Sequence, residues 1–226
     1  MPYPASVIVS CAIAGSAVAT GAASLVAAWW MEPNRRARRA LRAVPEIPIG
    51  AIKPGMRARV TGVVSARGPL ISSPVGHHPC IGYRLDVDTR VSGRTDPRRR
   101  ILRQQDWDVF WIEDGTGRAA VDGPFLIGLD PDDGGWADLP PSLFAFLEEN
   151  GIRPATRRLV GPEMELRFSE TLLKPGDRVT VLGSASLEVD PAGQSAASRR
   201  PPMLCHLRGS KRQPVVIADA DEPLED

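Results

Sequence analysis

Cysteine is scarce in this chain. Cys11, Cys80 and Cys205 are spread over 226 positions, which excludes a disulfide framework. Cys-x-x-Cys spacing is missing too, so a paired-cysteine zinc module has no ligands. Histidine is equally rare, at three residues. Net charge is almost absent: 28 basic residues oppose 27 acidic ones, so no strongly basic or acidic partner is demanded. Aromatics are few, and outward stacking residues of the kind that hold single-stranded nucleic acid are not evident. Arginine faces then read as solvated, and no nucleic-acid partner is expected. Glycine (21) and proline (22) are plentiful by contrast. They favour a turn-rich β domain over a helical bundle.

Charge is also missing locally. From Ala5 to Met31, "ASVIVSCAIAGSAVATGAASLVAAWWM", no side chain is charged. That length spans a bilayer core as a helix, with Trp29 and Trp30 at the position of an interfacial anchor. Small residues four apart (Gly15 and Ala19, Ala17 and Gly21) suit close helix packing, a weak signal in so alanine-rich a stretch. "RRARRALR" follows, with Arg35, Arg36, Arg38, Arg39 and Arg42. The positive-inside rule keeps this cluster cytoplasmic and puts the N-terminus outside. "MPYPAS" lacks the basic n-region of a secretory signal, so the stretch reads as an anchor that is kept. Residues 32–50 read as a basic juxtamembrane linker that starts as a short helix and ends in prolines. Its arginines fix topology and touch anionic headgroups.

One phrase occurs twice. "KPGMRARVTG" runs from Lys53 to Gly62 and "KPGDRVTVLG" from Lys174 to Gly183. Pro-Gly suits the centre of a type II turn. After it Met56, Ala58 and Val60 alternate with Arg57, Arg59 and Thr61, and Val179 and Val181 alternate with Arg178 and Thr180. Each copy is a turn followed by a half-buried strand, ending in a glycine where a strand bulges or bends. The repeat marks two related halves of a β-barrel. Further strands are expected at "CIGYRLDVDTRV", with Arg84, Asp86 and Asp88 outside, and at "DWDVFWIE" as a central strand. "PEMELRFSETLL" and "PVVIAD" are strands as well. "DGTG" (Asp114 to Gly117) is a tight hairpin turn, "GRTDPRRR" a polar loop tip and "PSLFAFLEENG" the one convincing soluble helix. "DPAGQSAASRRPP" reads as a loop. The expected organisation is an anchor (1–31), the linker (32–50), a mainly β, OB-like barrel domain with one short helix (51–220) and an acidic tail (221–226).

In order and spacing, "PLISSPVGHHPCIGYRLDV", "WDVFWIEDGTGRAAVD", "SETLLKPGDRVTVLGSA" and "PVVIAD" resemble the GIDE domain, also called BAM (beside a membrane). The matching positions are Ser73, Pro74, Cys80, Tyr83, Asp114, Thr116, Gly117, Glu170, Pro175, Gly176, Asp177 and Asp219. The resemblance covers roughly residues 50–220. It implies a membrane-anchored β domain beside the bilayer, related to organelle-membrane ubiquitin-protein ligases. Those ligases add a second membrane helix and a Cys/His-rich RING. The two cysteines beyond residue 31 cannot supply a RING, so the resemblance implies a scaffold or partner-binding module.

Reactive chemistry has few candidates. "HHPC" places His77 and His78 near Cys80, and "CH" adds Cys205 and His206. Together they are candidates for a metal site, or for a thiol nucleophile at Cys80. Against this, neighbours on a strand face opposite ways, and Cys80 reads better as a small packed side chain beneath a histidine loop. Glu113 and Asp114 are candidates for an acid and base, against a plain turn in which Asp114 caps the backbone. Glu170 and Asp177 read as structural, with Arg57 or Arg178 as possible partners of Glu170. The expected function is a non-catalytic adaptor, single-pass in the membrane with its domain in the cytoplasm, holding no cofactor. Its partners are the bilayer and another membrane or membrane-associated protein. Ser73, Pro74, His77, His78, Arg98, Arg99 and Arg100 form the expected contact surface, in the loops at 72–79 and 94–100. The alternative is a ligase-type acyl-transfer enzyme, or a metal or thiol enzyme using His77, His78 and Cys80.

Overall fold

A computed structural model of the protein describes residues 33–91, 98–135, 140–152, 164–189 and 203–220. The expected anchor, most of the polar loop tip, the loop at 190–202 and the tail at 221–226 lie outside them. Among the described residues no helix is long and apolar enough to cross a membrane.

The chain is mainly β. Its elements are α1 (Pro33–Arg42), a 3-10 turn (Ile49–Ala51), β1 (Arg57–Ala66), β2 (Ile71–Ser72), β3 (Pro79–Cys80), β4 (Gly82–Val91) and β5 (Arg98–Trp107). There follow β6 (Phe110–Glu113), β7 (Arg118–Asp122), β8 (Phe125–Gly128), β9 (Asp133–Gly135), α2 (Pro141–Glu149), β10 (Met164–Leu173), β11 (Arg178–Val189), β12 (Met203–Arg208) and β13 (Val215–Asp219).

Five strands close a barrel. β1 pairs with β6, β6 with β7, β7 with β12, β12 with β11, and β11 returns to β1. β8 and β13 prolong the sheet beside β11. The barrel interior is filled by the expected alternating residues, including Ala58, Val60, Val179 and Val181. The segment between β1 and β6 and the segment before β11 build a second sheet, β5-β4-β10-β9. Its apolar face carries Tyr83, Leu85, Val87, Phe168 and Leu172, covered by Leu143 and Leu147 of α2. The helix ends as its sequence suggests, with Asn150 Nδ2 donating to the Phe146 carbonyl (2.8 Å) and Gly151 at φ +71°.

The repeated phrase is the closure of the barrel. β1 and β11 run antiparallel, and Val60 faces its own counterpart Val181. An approximate twofold axis passes through that pair. The Gly55 N–H donates to the Ala185 carbonyl (2.8 Å), and the Gly176 N–H donates to the Val64 carbonyl (2.8 Å). Each copy's turn is thus tied to the other copy's strand. Both turn glycines have positive φ, +81° and +95°, as a type II turn requires. Both closing glycines sit at corners. Near Gly62, β1 passes from β11 to β6. Near Gly183, β11 passes from β1 and β13 to β12.

Several expectations need correction. "DWDVFWIE" is not one strand: β5 ends at Trp107 and β6 begins at Phe110. The Asp108 N–H turns to the Ile81 carbonyl (3.1 Å), which carries the chain from the second sheet into the barrel. Arg84 and Asp86 are buried rather than outside. Arg84 reaches from β4 to the Ile127 carbonyl of β8 (2.8 Å), and Asp86 receives Arg103 through two hydrogen bonds (2.6 and 3.2 Å). Thr180 is buried as well, its Oγ1 2.9 Å from Thr61 Oγ1.

The short helix expected at the start of the linker is observed as α1. α1 packs Ala37 and Leu41 against Leu182, Val216 and Ala218. Part of the expected linker is therefore docked on the barrel. A Cβ on Gly128 would lie 2.5 Å from the Ala37 Cβ, so glycine is what lets the helix approach. The C-terminal end of α1 is capped by Arg59, whose Nη1 donates to the Leu41 carbonyl (3.0 Å). A cation there also suits the helix dipole.

Candidate functional site

The site begins with one misplaced charge. Along β10, Phe168, Glu170 and Leu172 share the apolar face of the second sheet, since strand residues two apart face the same way. Glu170 is fully buried. Its carboxylate accepts Ser73 Oγ–H (3.1 Å), Val75 N–H (3.0 Å) and Gly76 N–H (3.0 Å). Among the described residues no cation pairs with it; neither Arg57 nor Arg178 is the partner. A buried carboxylate in this position is held by hydrogen-bond donors instead.

Those bonds fold residues 73–80 into a compact loop. Ser73 Oγ accepts the His78 N–H (3.1 Å), and the Ser73 N–H donates to the His78 carbonyl (3.0 Å). From α2, Ser142 Oγ donates to the Val75 carbonyl (2.8 Å). Gly76 has no room for a side chain: a Cβ would meet His78 Cδ2 at 2.5 Å and Glu170 Oε2 at 2.9 Å. The strain surfaces next door. His77 has φ +53°, unlike any other described non-glycine residue, a conformation held only where the surroundings impose it. His77, His78 and Pro79 are exposed at the tip, while Ser73 beneath them is buried and Pro74 half-buried.

Cys80 lies under this tip with no exposed surface, in the core of the second sheet. Burial, then the charge of Glu170, pushes its thiol up to about 11, against a smaller opposing effect of Lys174. At neutral pH the thiolate is a fraction on the order of one in ten thousand, so Cys80 is a poor nucleophile. Alkylation of the folded protein by iodoacetamide is expected to be slow at pH 8 and to accelerate only above pH 10. Mass spectrometry of the Cys80 peptide checks this.

The other candidates separate in space. Cys205 belongs to the barrel core and Cys80 to the core of the second sheet, so they share no ion. His206 lies on the opposite side of its strand, with Nε2 3.5 Å from Glu188 Oε2. Burial lowers its pKa despite that carboxylate. Among the described residues no three His, Cys, Asp or Glu side chains are grouped to hold a metal. Arg98, Arg99 and Arg100 open β5 rather than forming a loop. Arg100 Nε lies 3.1 Å from Asp86 Oδ1, beside Arg84 and Arg103. Arg84 Nε stands 3.3 Å from Asp86 Oδ2 but lacks hydrogen-bond geometry.

The acids of the ordered motif share one job. Asp114 accepts N–H groups of Ile49, Thr116 and Gly117 (2.7, 2.8 and 3.1 Å). Asp177 accepts the Lys174 N–H (2.7 Å) and Asp219 the Asp130 N–H (2.9 Å). Like Glu170, each staples a loop by its backbone. Glu113 instead lies near Arg118 (3.8 Å), so it and Asp114 form no acid–base pair. Burial works to raise the Asp114 pKa, but the hydrogen bonds from Ile49, Thr116 and Gly117 outweigh it and hold the group below the usual range. The stability this supplies is present above the unfolded carboxyl pKa of about 4 and is lost as pH falls through the lower folded value. Asp114→Ala is expected to cost about 2 kcal/mol at pH 7 and less at pH 3. Urea unfolding at the two pH values reads the difference.

Sequence reasoning missed Trp111. It stands outward on β6 with the Arg118 and Arg67 guanidinium carbons 4.1 and 5.1 Å from its ring centre. Intramolecular cations therefore compete for the ring with any stacked base. Compared with family models, curated proteins and solved structures, the chain matches none.

Proposed function

We propose that this chain is a membrane-anchored, non-catalytic binding module that presents the His77–His78–Pro79 tip to a protein partner at the membrane surface. The observation that carries this reading is the buried Glu170 carboxylate and its three donors in the loop below the tip. A segment fixed beforehand loses less freedom on binding. The shielded thiol of Cys80 weighs against nucleophilic chemistry at the same place.

Support for the membrane part is in the sequence. The charge-free stretch 5–31 and the arginines after it suit a single-pass anchor with the domain in the cytoplasm. Such tethering raises the effective concentration of the tip for membrane-bound partners. The resemblance to GIDE/BAM domains points the same way. The cyclic order of the barrel strands, first-second-third-fifth-fourth, is that of OB-type barrels and favours the OB-like description.

The test places a photoreactive amino acid at His78 of the full chain in its own cells, with Lys53 as a control position. One membrane protein captured from His78 alone, and lost on Gly76→Val, supports the reading. Capture of nothing, or of the same proteins from both positions, sinks it. Loss of function on Cys80→Ser with the fold intact moves the assignment to a thiol enzyme. One zinc per purified chain moves it to a metal protein.

A further inference from the structure

The correspondence between the two copies of the phrase runs on past Gly62 and Gly183. Ser65 on β1 and Ser186 on β11 are counterparts, and so are Arg67 and Glu188 just after them. Each serine lies opposite a large side chain of the next strand: Trp111 of β6 for Ser65, His206 of β12 for Ser186. Glu113 likewise stands where the second copy has Arg208. The second copy closes its charges internally, with Glu188 2.6 Å from Arg208 and 3.5 Å from His206. The first copy has the signs exchanged, and it does not close.

Arg67 does not turn to Glu113. It lies over Trp111, its guanidinium carbon 5.1 Å from the ring centre, and Arg118 lies over the same ring at 4.1 Å. A cation over a ring engages it by charge and uses none of its N–H donors. Among the described residues neither guanidinium has a hydrogen-bond acceptor; Glu113 stands 3.8 Å from Arg118 Nη1, outside hydrogen-bond range. Both arginines are exposed and Trp111 is half-buried. One ring thus fixes two donor forks at the surface. Their like charges repel, and a bound anion relieves that repulsion.

The surroundings select the anion. Planar guanidinium forks match carboxylate oxygens. A nucleic acid would gain little here, because a stacked base competes with both guanidiniums for the ring. Val63 and Leu70, before and after Arg67 in the chain, are exposed apolar side chains, and they suit a peptide. We propose that Arg67, Trp111 and Arg118 form a clamp for the carboxylates of an acidic segment in a partner protein. The clamp stands apart from the His77–His78–Pro79 tip, and either can exist without the other.

The test titrates the full chain in neutral detergent against fluorescent hexaglutamate, hexalysine and a short oligothymidylate, read by anisotropy. Saturable binding of hexaglutamate alone is expected. It should weaken about tenfold or more in Arg67→Gln/Arg118→Gln, while Arg208→Gln, at the closed pair of the second copy, stays within about twofold. Arg67→Lys keeps the charge but not the planar fork, and should still lose about threefold or more. Both exchanged arginines of the double variant are exposed, and circular dichroism confirms its fold. No saturable binding of hexaglutamate, or an unchanged double variant, overturns the proposal. Full binding by Arg67→Lys shows a plain charge effect and overturns the clamp. Oligothymidylate binding as tight as that of hexaglutamate, and lost in the same double variant, makes this a nucleic-acid surface and overturns the protein assignment.

Discussion

Glu170→Ala is expected to cost about 4 kcal/mol of stability, because it strands buried donors that each cost roughly 1–3 kcal/mol when unmade. Ser73, Val75 and Gly76 all lose their acceptor together. The residue is fully buried, so water does not replace the carboxylate without opening the loop. Glu170→Gln keeps one carbonyl oxygen and is expected to lose about half as much. Hydrogen exchange distinguishes a local effect from a global one. In Glu170→Ala the amides of Val75, Gly76 and His78 should exchange far faster than those of β11. A loss below about 1 kcal/mol would show that this carboxylate does not hold the tip. The functional reading would then lose its principal support.

Gly62→Val should be nearly as damaging, for a steric reason. A Cβ at position 62 would meet the Glu113 carbonyl carbon at 2.8 Å and Ile112 Cγ1 at 3.0 Å. The first of these is backbone of the neighbouring barrel strand and cannot swing away. Relief requires β1 and β6 to separate at the corner, at a cost of about 3 kcal/mol or more. Gly55→Ala is the informative contrast. Nothing lies within 4 Å of its added Cβ, and only the positive φ resists the change, so about 1 kcal/mol is expected. Denaturant unfolding of the two variants side by side separates crowding from backbone preference. Equal losses would mean that the corner is not tightly packed.

Much of the barrel was legible because its strands keep a strict alternation. Ala58, Val60, Val179 and Val181 read correctly as inner-face residues, and the repeat announced a paired architecture. The errors came from faces that a second layer covers. Thr180 and Arg84 look like solvent positions from periodicity alone. Their burial depends on β13 and β8, which are distant in sequence. The split inside "DWDVFWIE" was hidden for a related reason. Apolar residues on both faces signal a central strand, and here they reflect a crossing between two sheets. Within the site, Cys80 beneath an exposed histidine tip was legible. The role of Glu170 was half legible: an acid at an apolar position between Phe168 and Leu172 is visible in the sequence, but its partners lie nearly a hundred residues away. The docking of α1 was not legible, since its seat on Leu182, Val216 and Ala218 is distant in sequence.

The Val60–Val181 pair also sets an order in time. Some 120 residues separate the partners, and a ribosome making ~5–20 residues per second needs about 6–24 s to supply the second. Until then β1 is an open edge, and no local contact shortens the wait. α1 waits longer still, because Val216 and Ala218 of β13 complete its seat. It is made before every strand and docked after them. Throughout synthesis its arginines belong to a bare basic peptide rather than to the surface of a folded barrel. On the proposed reading, that is the interval in which the membrane fixes which way the chain faces.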